Sequence, residues 1–416
     1  MAHDPLGALR IPAFRNYILA KLLFVIAAQV QIAAVRWQVY SLTKDPLALG
    51  MIGLVEAIAF IAVALVGGHL ADRLNPARII LVCLLILLSC SLALAFLAGG
   101  SLSLLARGVW PIYSVIAVSG AARGFLSPAL FSYMTALIPP KDFANSSAWS
   151  SGSWQLAAVA GPALGGIIYG ASNASITYLT DAALVVVAIF FAWVSSKHAP
   201  RFEPPAPSQE SLGNSLSAGL RFVFSNQIML GAMSLDLFAV LFGGAVALIP
   251  MFADQVLMSG PETMGLLLSS PAIGAVTMAL ALVFFPLGKH SGWILIIAVL
   301  GFGVCMIGFG LSKSLYLSMG FLIFSGMFDS VSVVIRGTIM QRYTPEHMRG
   351  RVSSVNSIFI GSSNEIGAFE SGLAAKLLGL VPSVVFGGIM TIVTVTMTMV
   401  AAPKLRQLDL RTQPEQ

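Results

Sequence analysis

The sequence predicts an all-helical membrane protein, and three observations support this prediction: the composition, the length of the apolar segments and the placement of positive charge. Of the 416 residues, 57% are hydrophobic and only 10% are charged. A soluble domain carries roughly a quarter charged residues, so a chain this apolar could not keep its surface hydrated. The composition therefore excludes a soluble enzyme.

The apolar segments have the length that a membrane requires. A transmembrane helix needs about 20 apolar residues, and runs of this kind, bounded by charged residues or by Gly and Pro, recur along the whole chain. In the first half they lie at roughly 16–40, 47–70, 78–98, 106–137, 147–170 and 175–196. In the second half they lie at roughly 227–252, 263–286, 291–311, 315–341, 352–378 and 382–402. The predicted fold class is an all-α membrane protein with twelve transmembrane helices in two six-helix halves.

A polar segment separates the two halves. Residues 197–215 contain four prolines, which a regular helix does not tolerate in its interior. Residues 217–226 have the pattern of a short amphipathic helix at the membrane interface, or of an extension of the following span. We expect four domains: an N-terminal half, a cytoplasmic linker, a C-terminal half and a cytoplasmic tail, at 1–196, 197–226, 227–402 and 403–416.

Positive charge predicts the orientation, because Lys and Arg in short loops stay on the cytoplasmic side. If both termini are cytoplasmic, fifteen loop Lys and Arg residues fall inside and three fall outside, namely Lys44, Arg107 and Lys313. This bias predicts an inner (plasma) membrane protein, embedded in the lipid bilayer, with both termini in the cytoplasm. The net charge of +6 then reports topology, and no nucleic-acid partner is expected.

A weak internal repeat supports the division into halves. A shift of 206 residues superposes Pro139 on Pro345, Gly161 on Gly367, Gly166 on Gly372 and Arg123 on Asp329. Both members of each pair fall in corresponding helices or in the loops between them. The pattern fits two repeated halves with a substrate site between them near the membrane midplane.

The loop between the second and third helices carries a charged motif with Gly68, Asp72, Arg73 and Arg78. It resembles the corresponding loop of the major facilitator superfamily. Asp72 can cap a neighbouring helix and pair with Arg in one of two conformations, and such a cluster acts as a latch. The chain departs from the family pattern at residues 75–77, which implies a weaker latch. The alternative is that the two arginines serve only as topology signals.

The fifth helix contains the run Gly161-Pro162-Ala163-Leu164-Gly165-Gly166. This run looks like the Gly-Pro motif in the fifth helix of the family's antiporters. Proline bends the helix, and glycines one turn apart admit a partner helix at close range. We expect a pliable seam that takes part in gating; the alternative is ordinary packing of small residues.

The C-terminal half carries the most specific signatures. Arg336 is followed by the run 344–352, with Glu346, Arg349 and Arg351, and then by 362–372. Together with the Gly-Pro run, these segments resemble the enterobactin exporter branch of the superfamily, which belongs among its drug:proton antiporters, over nearly the whole chain. The resemblance implies export of a small molecule from the cytoplasm, driven by the proton gradient, with gating roles for the charged residues named here.

Charges within spans are costly and normally face a cavity or a partner. The acids expected to carry a coupling proton are Glu56, Asp236, Asp329, Glu365 and Glu370. Glu365, expected to be an unpaired carboxylate close to mid-membrane, is the first candidate for proton coupling, and Asp329 is the next.

The alternative is fixed ion pairs, either between Arg123 and an acid or between Asp329 and Arg336. For Asp181 and Arg36, which lie nearer the ends of their spans, contact with the membrane interface is a second alternative.

A substrate cavity is expected along the first helix and at polar positions elsewhere. Gln29 and Arg36 lie two turns apart on one face of that helix. Arg123 and Asn364 are the other residues expected to line the cavity.

Several classes of chemistry leave no signature in the chain. There is no phosphate-binding loop, no nucleophile elbow and no metal-ligand spacing, and the three cysteines lie in apolar runs. We therefore expect neither a metal nor a cofactor, and no enzyme. The predicted function is secondary transport by a monomer that exports a siderophore or drug in exchange for protons. The alternatives are an importer of the same fold and a membrane-embedded enzyme.

Overall fold

The computed structural model describes residues 6–100, 108–139, 142–200, 212–285, 288–345 and 348–410. Long helices dominate this part of the chain. Those of the first half are α1 (Pro12–Thr43), α2 (Pro46–Arg73), α3 (Pro76–Ala98), α4 (Trp110–Leu137), α5 (Phe143–Ala171) and α6 (Ala174–His198).

The second half begins with α7 (Leu212–Ser225) and continues with α8 (Gln227–Gly243), α9 (Ile249–Gln255), α10 (Pro261–Phe284), α11 (Ser291–Leu311), α12 (Leu315–Tyr343), α13 (Arg349–Leu378), α14 (Leu380–Ala401) and α15 (Pro403–Arg406). Each predicted span corresponds to one of the long helices, or to α8 and α9 together. The predicted fold class is confirmed.

Ten helical segments among the described residues are long and apolar enough to cross a membrane by length and composition. The long helices α5 and α13 fall outside this set. The first begins with the polar run FANSSAWSSGSW, and the second carries charged and polar residues along much of its length. These two helices are the fifth and eleventh predicted spans, so the more polar helix occupies the same position in each half.

The seventh span, predicted at 227–252, is confirmed as one membrane-spanning segment, Gln227–Gln255, but it is not one continuous helix. α8 ends at Gly243, a 3₁₀ turn covers Ala245–Leu248, and α9 follows. Gly244 lies so close to α13 that a Cβ atom there would be 3.0 Å from the carbonyl oxygen of Gly367. The consecutive glycines Gly243 and Gly244 lower the helical propensity at the break. Pro250 fits the first turn of the helix that follows, where its missing N–H costs nothing.

α7 is a separate helix rather than an extension of the following span. The break is fixed at Asn226, whose side chain accepts hydrogen bonds from the backbone N–H groups of Ile228 and Met229, both at 3.1 Å. This is an N-cap, which satisfies donors that a continuous helix would not leave free. Gly219 of α7 packs on α13, where its Cβ would lie 2.9 Å from the carbonyl oxygen of Arg351.

The chain divides into two compact units. The first comprises Met1–Thr43, Val55–Ser208 and Gly260–Ser269, and the second comprises Lys44–Leu54, Gln209–Ser259 and Ser270–Gln416. Each has its own apolar core, with Phe14 and Leu126 in that of the first unit and Leu235 and Ile335 in that of the second. The start of α2 therefore packs in the second unit and the start of α10 in the first. The division into four domains inferred from the sequence stays a prediction.

Candidate functional site

A cavity of about 350 Å³ lies within the first unit. Its volume is in the range of small-molecule sites. α1, α2, α4 and α5 contribute aromatic walls, formed by Tyr17, Phe24, Phe60, Phe131 and Trp154. Such rings provide a large apolar surface with specific stacking geometry. The walls suit a ligand with flat apolar parts.

Polar groups line the same cavity at a few positions. They are Lys21, Gln29, Arg123, Ser127 and Ser150. Two of them, Gln29 and Arg123, belong to the set expected from the sequence. A mostly apolar wall with a few polar groups is typical of a site that fixes the orientation of an amphipathic ligand.

The other two residues expected at the cavity lie elsewhere. Arg36 is half-buried further along α1 and is not among the residues that line this cavity. Asn364 belongs to the second unit, where its Nδ2 donates to the carbonyl oxygen of Ile360 at 2.8 Å. The structure thus brings two of the four predicted cavity residues together.

Arg123 forms an ion pair at the edge of the cavity. Its Nη1 lies 2.6 Å from Glu56 Oε1, and its Nη2 donates to Ser119 Oγ at 2.9 Å. Gly120 permits this geometry because α4 approaches α2 closely there: a Cβ would lie 3.0 Å from the carbonyl oxygen of Glu56. The Nε of Arg123 is buried and has no hydrogen-bond partner among the described residues.

A buried polar network lies between α1, α3 and α6. Gln31 Nε2 donates to Asp181 Oδ2 at 2.9 Å and lies 3.2 Å from Ser91 Oγ. Only 1% of Asp181 is exposed. This acid is therefore inside the first unit, and the alternative that it reaches the membrane interface is wrong.

The second unit holds a more enclosed ion pair. Arg336 Nη1 on α12 lies 2.5 Å from Asp236 Oδ2 on α8, and the two side chains are 7% and 9% exposed. Of the two ion pairs considered as alternatives, one between Arg123 and an acid is present, whereas one between Asp329 and Arg336 is not. Seven residues along a helix correspond to a rise of about 10.5 Å, so an acid on the neighbouring helix is the closer partner.

Asp329 lies beside this pair but does not join it. Both Asp329 and Asp236 line a cavity of about 10 Å³ together with Phe302, Phe328 and Ser332. Asp329 has no hydrogen bond or ion pair with any residue that the structure describes. A space of this size is at the lower limit for one water molecule.

Glu365 and Glu370 are half-buried on α13 in the second unit. Glu365 faces the start of α2, where a Cβ at Gly53 would lie 3.0 Å from its Oε2. The side chain of Glu365 is not without an interaction partner, so the expectation that it is unpaired is wrong.

The Gly-Pro run of α5 packs tightly inside the first unit. A Cβ at Gly161 would be 3.1 Å from the carbonyl oxygen of Ile26, and one at Gly165 would be 3.1 Å from the Cα of Val30. Gly166 faces the start of α10, where a Cβ would lie 2.8 Å from the Cα of Gly265. The carbonyl oxygen of Pro162 lies on the same side, 2.5 Å from a Cβ built on Gly265.

Much of the predicted latch lies outside the described residues. This holds for Glu346, for the side chains of Asp72, Arg73 and Arg349, and for the surroundings of Gly68. Arg78 is exposed near the start of α3, which Asn75 caps by accepting from the N–H of Ala77 at 3.0 Å. Arg351 donates to the sulfur of Met348 at 3.6 Å.

Sequence reasoning missed Lys21 and Trp154 as cavity residues. A signal was present in α1, where Tyr17, Lys21, Phe24 and Ala28 follow helical spacing and share one face. That face is mixed, with a cation between aromatic rings, and it lines the cavity. The three cysteines are free and buried, and no group of metal-ligating side chains occurs within the described ranges.

Comparison with known proteins identifies the family. The family model described as "Major Facilitator Superfamily" matches residues 17–368. Curated relatives include the enterobactin exporter EntS of Shigella boydii serotype 18 and that of Escherichia coli O1:K1 / APEC. Each is 25% identical over 373 residues, which cover 88% of this chain and 86% of the relative.

Solved structures share the fold. A POT family transporter in complex with 5-aminolevulinic acid matches with a TM-score of 0.76 at 12% identity, over 94% of this chain and 96% of the other. A bacterial homologue of the human lysosomal transporter Spinster, described as inward-facing and unoccupied, matches with a TM-score of 0.72 at 15% identity, over 97% and 98%. The family match spans most of the sequence, so this chain is a member of the Major Facilitator Superfamily, a multi-pass membrane transporter and not an enzyme.

Proposed function

We propose that the chain exports a small amphipathic organic molecule, such as a siderophore or a drug, across the inner membrane in exchange for protons by alternating access. The observation that carries this proposal is the cavity of the first unit, with aromatic walls and a few charged groups. Such a surface offers stacking and hydrogen bonding together. The relatives named enterobactin exporter favour a siderophore as the molecule exported.

Proton coupling is assigned first to Asp329. An isolated carboxylate inside a protein is costly, and such a group is neutralised by taking up a proton unless a cation or water compensates it. Asp329 has no bonding partner among the described residues, while its neighbour Asp236 holds Arg336. A change of state that exposes Asp329 to water would release its proton, and this difference between states is what exchange requires. Glu56, Asp236, Glu365 and Glu370 are the other candidates.

In this proposal the proton site and the substrate cavity belong to different units. Substrate and proton are then coupled because each binds one conformational state of the transporter more tightly than the other. They do not need to compete for one side chain. The gating residues of the proposal are Gly68, Asp72, Arg73, Arg78, Gly161, Pro162, Gly165, Gly166, Arg336, Glu346, Arg349 and Arg351.

Everted membrane vesicles test direction and coupling together. In vesicles with an acidic interior, we expect labelled enterobactin to accumulate only when the chain is present, and nigericin, which collapses the pH gradient, to abolish the accumulation. Accumulation in right-side-out vesicles with an acidic exterior would instead support an importer.

The coupling acid is tested by isosteric variants of Asp329 and of three of the other candidates. Asp329→Asn should bind labelled substrate with an unchanged Kd but lose accumulation driven by the pH gradient. The matched variants Glu56→Gln, Glu365→Gln and Glu370→Gln should retain it. If Asp329→Asn accumulates substrate normally and Glu365→Gln does not, the coupling role belongs to Glu365.

A further inference from the structure

Lys21 is a cation inside a transmembrane helix with neutral partners. It lies nine residues beyond Pro12, the first residue of α1. Its Nζ donates to the carbonyl oxygen of Ser150 at 3.2 Å and to the hydroxyl of the same residue. No carboxylate among the described residues pairs with it. Two neutral acceptors orient an ammonium group without neutralising its charge.

The other charged groups of the spans provide a contrast. Arg123 and Arg336 each face a carboxylate at ion-pair distance. Placing a cation in a span is costly, and it is normally offset by a partner or a wet cavity. Lys21 has only the cavity, which it lines between Tyr17 and Phe24.

The surroundings of Lys21 indicate which kind of ligand the cavity favours. Five aromatic side chains form the walls, so a ligand that fills this space gains by stacking a flat ring on them. The ammonium group favours a negatively charged oxygen and repels a ligand cation. Arg123 lines the same cavity, but its charge is paired with Glu56.

We propose that this cavity binds aromatic anions, with Lys21 as the group that holds the anionic oxygen. On binding, the ammonium group exchanges its contact with Ser150 for the ligand. The inference rests on the proposed function in that it takes the cavity as the transport site, and it adds the charge and ring character of the molecule carried.

Equilibrium binding to the purified full chain in nanodiscs tests the proposal, with no gradient present. The probes share one ring and differ in charge: 1-naphthoate, 1-naphthamide and 1-naphthylmethylammonium. We expect the anion to bind at least about tenfold more tightly than the amide, and the cation more weakly than both. Equal affinities, or a preference for the cation, would overturn the proposal with the unmodified protein alone.

Variants of Lys21 test whether this residue causes the preference for the anionic probe. Lys21→Gln should remove the difference between naphthoate and naphthamide, and Lys21→Arg should keep most of it. Lys197→Gln is the matched control, since Lys197 lies 3.5 Å from the ring centre of Trp193 and does not line the cavity. A preference for the anion that survives in folded Lys21→Gln would assign the anion to another residue.

The outcome is separable from the test of transport. Binding at equilibrium does not depend on direction or on proton coupling. Import of the label in the vesicle assay would overturn the proposed export and leave the ligand class standing. Failure of the charge series, with exchange intact, would overturn the ligand class alone.

Discussion

The two units contain the same kind of ion pair in different surroundings. In the first unit the side chains of Arg123 and Glu56 are 18% and 17% exposed, and the arginine lines a cavity of about 350 Å³. In the second unit the side chains of Arg336 and Asp236 are about half as exposed, and the acid lines a cavity that hardly holds one water molecule. We therefore expect the closed pair of the second unit to contribute more to stability than the open pair of the first.

The closed pair should show the largest effect on stability. Removing one partner of a buried pair leaves an uncompensated charge and costs about 3–5 kcal/mol. We expect Asp236→Ala to lower the free energy of unfolding by this amount, and Glu56→Ala by clearly less, because Arg123 is more exposed and keeps its bond to Ser119. Unfolding followed during a detergent titration measures both.

The double variant Asp236→Leu/Arg336→Met is the control, since replacing both charges by apolar groups is often neutral. It should recover most of the lost stability. Equal losses in Asp236→Ala and Glu56→Ala would contradict the distinction between a closed and an open pair.

The glycine seams should show the next largest effect, and they are alike in the two units. Gly166 packs against Gly265, and Gly372, its counterpart in the sequence repeat, packs against Gly50, with a Cβ 2.9 Å from that Cα. Overpacking of this kind costs about 1–3 kcal/mol. Gly166→Leu and Gly372→Leu should each lower the thermal unfolding midpoint and block transport.

Two glycines provide matched controls for the seams. A Cβ at Gly152 on α5 or at Gly337 on α12 would meet no atom of the described residues within 4 Å, apart from the backbone of its own helix. Gly152→Leu and Gly337→Leu should therefore fold and transport normally. If they fail as often as the seam variants, the loss is due to leucine itself and not to the close approach.

The exposed ion pairs of the second unit should show the smallest effect. Lys376 lies 3.1 Å from Asp45, and Lys44 lies 2.8 Å from Asp254, with side chains 37–56% exposed. Exposed pairs contribute about 0.2–1 kcal/mol and are screened by salt. Lys376→Gln should lower stability by less than 1 kcal/mol at low salt and by less still at high salt. A larger loss that persists in salt would indicate that this pair acts as a structural lock.

The fold was predictable because membrane physics restricts the choices. The length of the apolar runs predicted the spans to within a few residues, since backbone groups in lipid must be bonded within a helix. The break at Gly243 and Gly244 was not foreseen, because glycine alone does not interrupt a helix. It does so here where a neighbouring helix passes at Gly367.

The charged residues within the spans were recognisable from the sequence, but their contacts were not. Glu56 and Arg123 both stood out as charges within spans. Their contact joins two helices, and the two residues are 67 positions apart in the sequence. The partner considered for Arg336 was Asp329, which lies on the same helix. The observed partner, Asp236, lies on another helix. Lys21 was overlooked, although it shares one face of α1 with Tyr17 and Phe24. Which helix faces touch is decided by packing.

The unneutralised charge of Lys21 has a consequence for the electrical side of transport. A monoanion that leaves the cytoplasm in exchange for one entering proton moves two elementary charges in the favourable direction across a membrane that is negative inside. Each charge contributes about 2.3 kcal/mol per 100 mV, so the membrane potential supplies about 4.6 kcal/mol per cycle at that voltage. A cation exchanged for one proton would gain nothing from the potential. A transporter with this cavity would therefore concentrate its substrate outside the cell even when the pH gradient is small.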